Sequence, residues 1–194
     1  PWVKEFVLNP RDNDHPKVLV RIFFAPSGIQ EQSTAFHYFL KDAFQASSVF
    51  IYSGHSGLGG NLNLDYIEMI RGFYFHMPKE QYQIFFINGC TTYSYYNSDY
   101  FIRKASEDDI RGSSKLDIIT NGLATKFSAI ATSDFILINA VADWAQNFKT
   151  WSYQEIVSES DSFNLYGVNG DEDNATSPWD PRVHHFEYNK PPQE

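Results

Sequence analysis

The chain has a single cysteine, Cys90, in 194 residues. That excludes an intrachain disulfide framework and leaves the thiol to be explained by packing, metal binding or reactivity. Basic residues are also scarce, with 15 Lys and Arg against 24 Asp and Glu, a formal net charge of -9 and a pI near 5.0. A nucleic-acid surface needs clustered cations to meet phosphates, so no nucleic-acid partner is expected. No stretch reaches the roughly eighteen apolar residues of a membrane-spanning helix. No basic-then-apolar leader follows Pro1, so the chain is expected to be a trimmed or processed piece without a membrane span. Internal repeats are absent as well.

Aromatic residues are abundant instead, at 17%, with 12 Tyr and 4 Trp. Core packing explains most of them, and the remainder slightly favours a secreted or cell-envelope location over the cytoplasm. With 42% hydrophobic residues the chain can bury one substantial core. The expected organisation is one domain over residues 1–167, followed by an acidic, Pro-containing extension over 168–194 with little periodicity, packed by Trp179 and Phe186 or disordered.

Apolar runs punctuated by turn residues alternate with helical patterns. Residues 17–24, KVLVRIFF, read as a buried strand stopped by Ala25-Pro26-Ser27-Gly28, and WVKEFVL before them as another strand. From Ser33 the apolar positions Phe36, Phe39, Leu40, Ala43 and Phe44 recur at helical spacing, with Ser33 or Thr34 as N-cap. Residues 48–52, SVFIY, break into the glycine-rich SGHSGLGGN, and a helical pattern follows over 64–75. Residues 83–87, QIFFI, stop at Asn88-Gly89 and lead through Cys90-Thr91-Thr92 into a helix expected from Tyr95 to Arg103. A charged surface loop over 105–115 precedes the strand LDIIT, and Phe135, Ile138, Val141, Ala142 and Ala145 mark a long amphipathic helix. Tyr153, Ile156 and Val157 suggest another helix.

Strands alternating with helices predict an α/β sandwich with a mostly parallel central sheet, in which functional residues collect in loops at the carboxyl ends of strands. If strands 48–52 and 83–87 are neighbours they lie roughly 5 Å apart, and their following loops bring His55 against Cys90. A thiol attacks a carbonyl as thiolate, which a nearby imidazole and a helix N-terminus both favour. The helix after Thr92 is expected to aim its N–H groups at the sulfur, with His55 accepting the thiol proton and later delivering it to the leaving amine. Backbone N–H groups of Cys90 and of Ser56 or Gly57, in a loop where Gly57, Gly59 and Gly89 let backbones approach closely, are the expected oxyanion donors. Asn88 or Asp65 would orient the imidazole.

At these residues the sequence resembles the clan CD cysteine peptidases, the group of caspases, legumain, clostripain and gingipains, in which a strand-His-Gly motif precedes a strand-small-Cys motif. VFIYSGHSG stands for the His strand, IFFINGC for the Cys strand, and FNLYG at residues 163–167 for the late strand that closes gingipain-type domains. The resemblance covers residues 17–167. It implies a caspase-like three-layer α/β/α sandwich and a thiol-protease hydrolase acting on a polypeptide substrate, with no cofactor required and strong selectivity at the cleaved bond. Two positions depart from the pattern: Ser56 intervenes between His55 and the next glycine, and Gly89 stands where Ala or Ser is usual. Acid recognition would draw on Arg103 and Arg111, basic recognition on Asp134 or Asp143.

Other readings compete. A catalytically inactive caspase-like domain would serve as a binding or scaffold module, with Tyr93, Tyr95, Tyr96 and Tyr100 as contact surface. A serine esterase of the α/β-hydrolase type would use Ser56 in GHSGLG, but Leu58 stands where G-x-S-x-G needs glycine, and the late histidine would have to be His184 or His185. Asp171, Glu172, Asp173 and Asn174, and Asp12, Asn13 and Asp14, are expected to be solvated charge; Ca²⁺ held by Asp171 and Asp173 is the alternative. No other metal is expected, since His184 and His185 lack Cys companions.

Overall fold

The computed structural model describes residues 2–25, 33–160 and 164–170. Its centre is a sheet of β3 (Val49–Ser53), β4 (Gln83–Asn88), β5 (Leu116–Asn121) and β6 (Tyr166–Asn169), in that order. The first three strands are parallel and β6 joins antiparallel to β5. The short apolar runs at 48–52, 83–87 and 116–120 therefore form the parallel strands that their lack of alternation predicts.

Both faces of the sheet are covered. Phe50, Tyr52, Phe85, Ile87, Leu116 and Ile118 point to one side, where they meet Phe36, Leu40 and Phe44 of α1 (Thr34–Ala46), Leu64 and Ile67 of α2 (Leu64–Arg71) and Tyr100 of α3 (Ser98–Lys104). Phe86 and Ile119 point to the other side, against Leu137 and Ala140 of α4 (Phe127–Asn147) and Ile156 of α5 (Tyr153–Ser160). Each fully buried Leu, Ile or Phe contributes about 1.5–3 kcal/mol relative to exposure. Local chemistry sets the helix ends: Ser33 Oγ accepts from Phe36 N–H at 3.1 Å and Asn63 Oδ1 from Tyr66 N–H at 2.9 Å. Gly72, at φ +69°, stops α2.

Three expectations are corrected. The run at 17–24 is not part of the central sheet. As β2 (Val18–Phe24) it pairs antiparallel with β1 (Trp2–Leu8) in a separate two-stranded ribbon, with Leu19, Ile22 and Phe24 exposed and Phe23 packed on Phe36 and Phe39. The helix expected directly after Thr92 is a single 3-10 turn over Thr92–Ser94, and α3 starts only at Ser98. On α4 the buried positions are Ser133, Leu137, Ala140 and Ala145, while Phe135 and Ile138 face solvent. The last strand, β6, runs through Asn169. The turn at 26–28, Phe163, and the extension from 171 onward with Asp171, Asp173, Trp179, His184, His185 and Phe186 lie outside the described residues.

Candidate active site

The final pair in the register of β3 and β4 is Ser53 with Asn88, and Gly54 N–H donates to the Asn88 carbonyl at 3.1 Å. The loops that follow carry His55 and Cys90. They touch backbone to backbone: a Cβ placed on Gly89 would stand 2.7 Å from the Gly54 carbonyl oxygen and 3.6 Å from Ser56 N. Glycine before the cysteine is thus a steric requirement of bringing the two loops together.

The His55 loop is braced from below. Tyr52 Oη and Asn61 Nδ2 each donate to the His55 carbonyl at 2.6 Å, and Tyr96 Oη donates to the Ser56 carbonyl at 2.5 Å. Burial pushes the Tyr96 phenol up, so it stays a donor at neutral pH. Gly57, Leu58 and Gly59 all have positive φ, at +57°, +53° and +91°. The leucine is the costly member, because a side chain crowds the left-handed region. The outcome is a fixed backbone with an exposed imidazole, whose ring meets the ring of Phe127 edge-on at 5.1 Å.

The Cys90 loop is held from the other strand. Thr91, β-branched and at φ +49°, is a second strained residue; its N–H donates to the Leu123 carbonyl at 2.9 Å. The fully buried Thr92 hydroxyl has one proton for two acceptors, the Ile87 carbonyl at 2.7 Å and Asn121 Oδ1 at 2.6 Å, and accepts from Asn121 N–H at 3.0 Å. Cys90 itself is half-buried with a free thiol. Among the described residues neither the sulfur nor the imidazole ring has a hydrogen-bond partner, and the N–H groups of Ser56, Gly89 and Cys90 likewise have none. The His55 and Ser56 carbonyls and the Thr92 hydroxyl are bonded, while the thiol and the imidazole are open.

The expected orienting residues are engaged elsewhere. Buried Asn88 donates to Asp134 Oδ1 at 3.1 Å and accepts from Tyr166 Oη at 2.8 Å. Asp65 pairs with Arg103, which also holds Glu68 at 3.0 Å. The three-residue turn after Cys90 offers no helix N-terminus of useful length to the sulfur, contrary to expectation. Arg103 is thereby tied to α2, and Asp143 binds Trp151 Nε1 at 2.9 Å and Lys149 Nζ at 3.2 Å.

Asp134 has a role the sequence did not reveal. Its Oδ2 accepts from Ser53 Oγ at 2.6 Å while its Oδ1 accepts from Asn88. One carboxylate on α4 therefore clamps the last paired residues of both strands, each two positions before a candidate catalytic residue. Burial raises the Asp134 pKa, and the hydrogen bonds from Ser53 and Asn88 oppose the rise. Tyr166 extends the network to Asn164 Nδ2 at 3.0 Å. Tyr52, Asn61, Leu123 and Phe127 are the site residues that sequence inspection missed, while Tyr96 and Asp134 were singled out for other roles, as contact surface and for basic recognition.

Among the described residues no group of three or more His, Cys, Asp or Glu is placed to hold a metal ion, and no helix is long and apolar enough to cross a membrane. Comparison of the chain with protein-family models, with curated proteins and with solved structures gives no match.

Proposed function

We propose that the chain is a cysteine peptidase of the caspase-like type, with Cys90 as nucleophile and His55 as general base and acid. The observation that carries this is the backbone contact of Gly89 with Gly54 and Ser56, which juxtaposes two strained loops at the carboxyl ends of adjacent parallel strands. Sites in such sheets form at those ends.

His55 takes the Cys90 proton, and the thiolate attacks the scissile carbonyl carbon. The negative oxygen of the tetrahedral adduct is met by the open N–H groups of Ser56, Gly89 and Cys90. The C–N bond breaks as the imidazolium returns its proton to the leaving amine, leaving a thioester on Cys90. A water molecule, deprotonated by His55, attacks the thioester; the acid product departs and the thiol is restored. Tyr52 and Asn61 fix the His55 carbonyl, which leaves the imidazole its side-chain torsions for serving attack and departure in turn.

The test is alkylation of Cys90 by iodoacetamide as a function of pH, for the native chain and for His55→Ala. Reaction setting in well below pH 8, and slowed about 10²-fold by the substitution, is expected of an activated pair. A thiol that titrates as an ordinary cysteine and ignores the substitution makes the domain a binding module.

A further inference from the structure

We infer that the peptidase acts on polypeptides bearing a bulky apolar side chain next to the cleaved bond, selected by Leu58, Leu123 and Phe127. This rests on the peptidase proposal and deepens it. Three separate segments each present an exposed apolar residue at the Cys90/His55 loops. Phe127, 62% exposed, touches the His55 ring itself. Leu123, 48% exposed, is tied through its carbonyl to Thr91, the residue after the nucleophile. Leu58, 83% exposed, is held in the left-handed region three residues past His55. A leucine kept in solvent at a backbone conformation that disfavours it is not explained by folding.

Two of the charges that would select otherwise, Arg103 and Asp134, are occupied. Arg103 is paired with Asp65 and Glu68, and both oxygens of Asp134 accept from Ser53 and Asn88. An apolar side chain laid on this rim removes surface from water on both partners and shields the thioester carbonyl. Lys126, beside Phe127, is the charged neighbour that would favour an acidic residue instead.

Four peptidyl acyloxymethyl ketones that differ only in the residue next to the warhead, Phe, Leu, Asp or Arg, provide the experiment, read as the rate of Cys90 labelling in the native chain. The Phe or Leu probe is expected to label about tenfold faster than the Asp or Arg probe. Phe127→Ser should erase that preference, while Phe127→Leu retains it with an unchanged Tm. Fastest labelling by the Asp or Arg probe, or a preference that survives both Phe127→Ser and Leu123→Ser, overturns the apolar site and leaves the peptidase proposal standing. Labelling by all four at the rate of an unfolded cysteine overturns both.

Discussion

The two ends of the central sheet are built from similar residue types to opposite effect. At the amino end, buried Lys104 donates to the carbonyls of Pro78 and Gln81, each at 2.5 Å, and to Gln83 Oε1 at 3.0 Å. Gln83 in turn donates to the carbonyls of Phe44 and Ser47 at 3.0 and 2.7 Å, joining α1 to β4. Beside them buried Asp117 Oδ2 takes hydrogen bonds from Tyr82 and, at 2.5 Å, from Tyr153. Reactive groups there are locked into structure. At the carboxyl end the polar network stops one layer short: Asp134, Asn88, Thr92 and Tyr96 are bonded, while Cys90 and His55 are not. The difference separates a polar cluster that stabilises from one that positions.

Lys104→Met tests the stabilising end and carries the largest expected effect. Three acceptors lose their donor, and the domain should lose about 3 kcal/mol in urea unfolding, with the alkylation profile of Cys90 unchanged in the folded variant. Burial, with help from Lys79 and Lys115, lowers the Lys104 pKa to about 8 from the ordinary lysine value of 10.5. Between those two pH values the unfolded chain holds a proton that the folded one has released. Stability from this group therefore rises from pH 8 to 10.5 and is at its lowest below pH 8. The stability deficit of Lys104→Met should widen over the same window; a deficit constant from pH 7 to 10.5 would mean that the ammonium is not desolvated.

Gly89→Ala tests the positioning end. The added Cβ meets the Gly54 carbonyl oxygen, so the loops must separate. The expected cost is about 1–3 kcal/mol, smaller than that of Lys104→Met, but here Cys90 alkylation should move toward the profile of an ordinary thiol. A stable Gly89→Ala variant with native thiol reactivity would remove the contact on which the catalytic pairing stands.

Much of this was legible in the sequence, for identifiable reasons. The parallel strands announce themselves as short apolar runs cut off by Ser-Gly and Asn-Gly, so the neighbouring placement of the His55 and Cys90 loops follows from chain order. The run VLVRIFF carries the same signal yet forms a half-exposed ribbon, because an apolar run records composition and not which partner covers it. On α4 the large residues Phe135 and Ile138 drew attention, whereas the face that joins Phe86 and Ile119 in one buried cluster uses Leu137 and Ala140. Thr91 in a left-handed conformation has no sequence mark, nor does the 3-10 turn over Thr92–Ser94 that stands between it and α3 at Ser98. Asp134, one of two acids in the otherwise uncharged α4, was visible as a recognition candidate; its bridging of Ser53 and Asn88 depends on how α4 lies on the sheet.

The smallest effects give the sharpest contrast. Tyr153→Phe removes one hydrogen bond from Asp117 at the amino end, and Asp134→Asn removes one acceptor at the carboxyl end; each should cost about 1 kcal/mol. Burial raises the pKa of both Tyr153 and Asp134, so stability alone does not tell them apart. Kinetics does. Tyr153→Phe should leave the pH profile of Cys90 alkylation and any kcat untouched, since Tyr153 contacts neither loop. Asp134→Asn keeps one acceptor for two donors, so the Ser53 hydrogen bond must reverse direction and both bonds lose their charged acceptor, which shifts one loop against the other. Peptide hydrolysis should then lose kcat with little change in KM, the signature of a pair held slightly out of line, and Asp134→Glu should not restore it because its longer side chain displaces both strand ends. If the two variants prove kinetically alike, Asp134 is one more structural carboxylate and the two ends of the sheet do not differ.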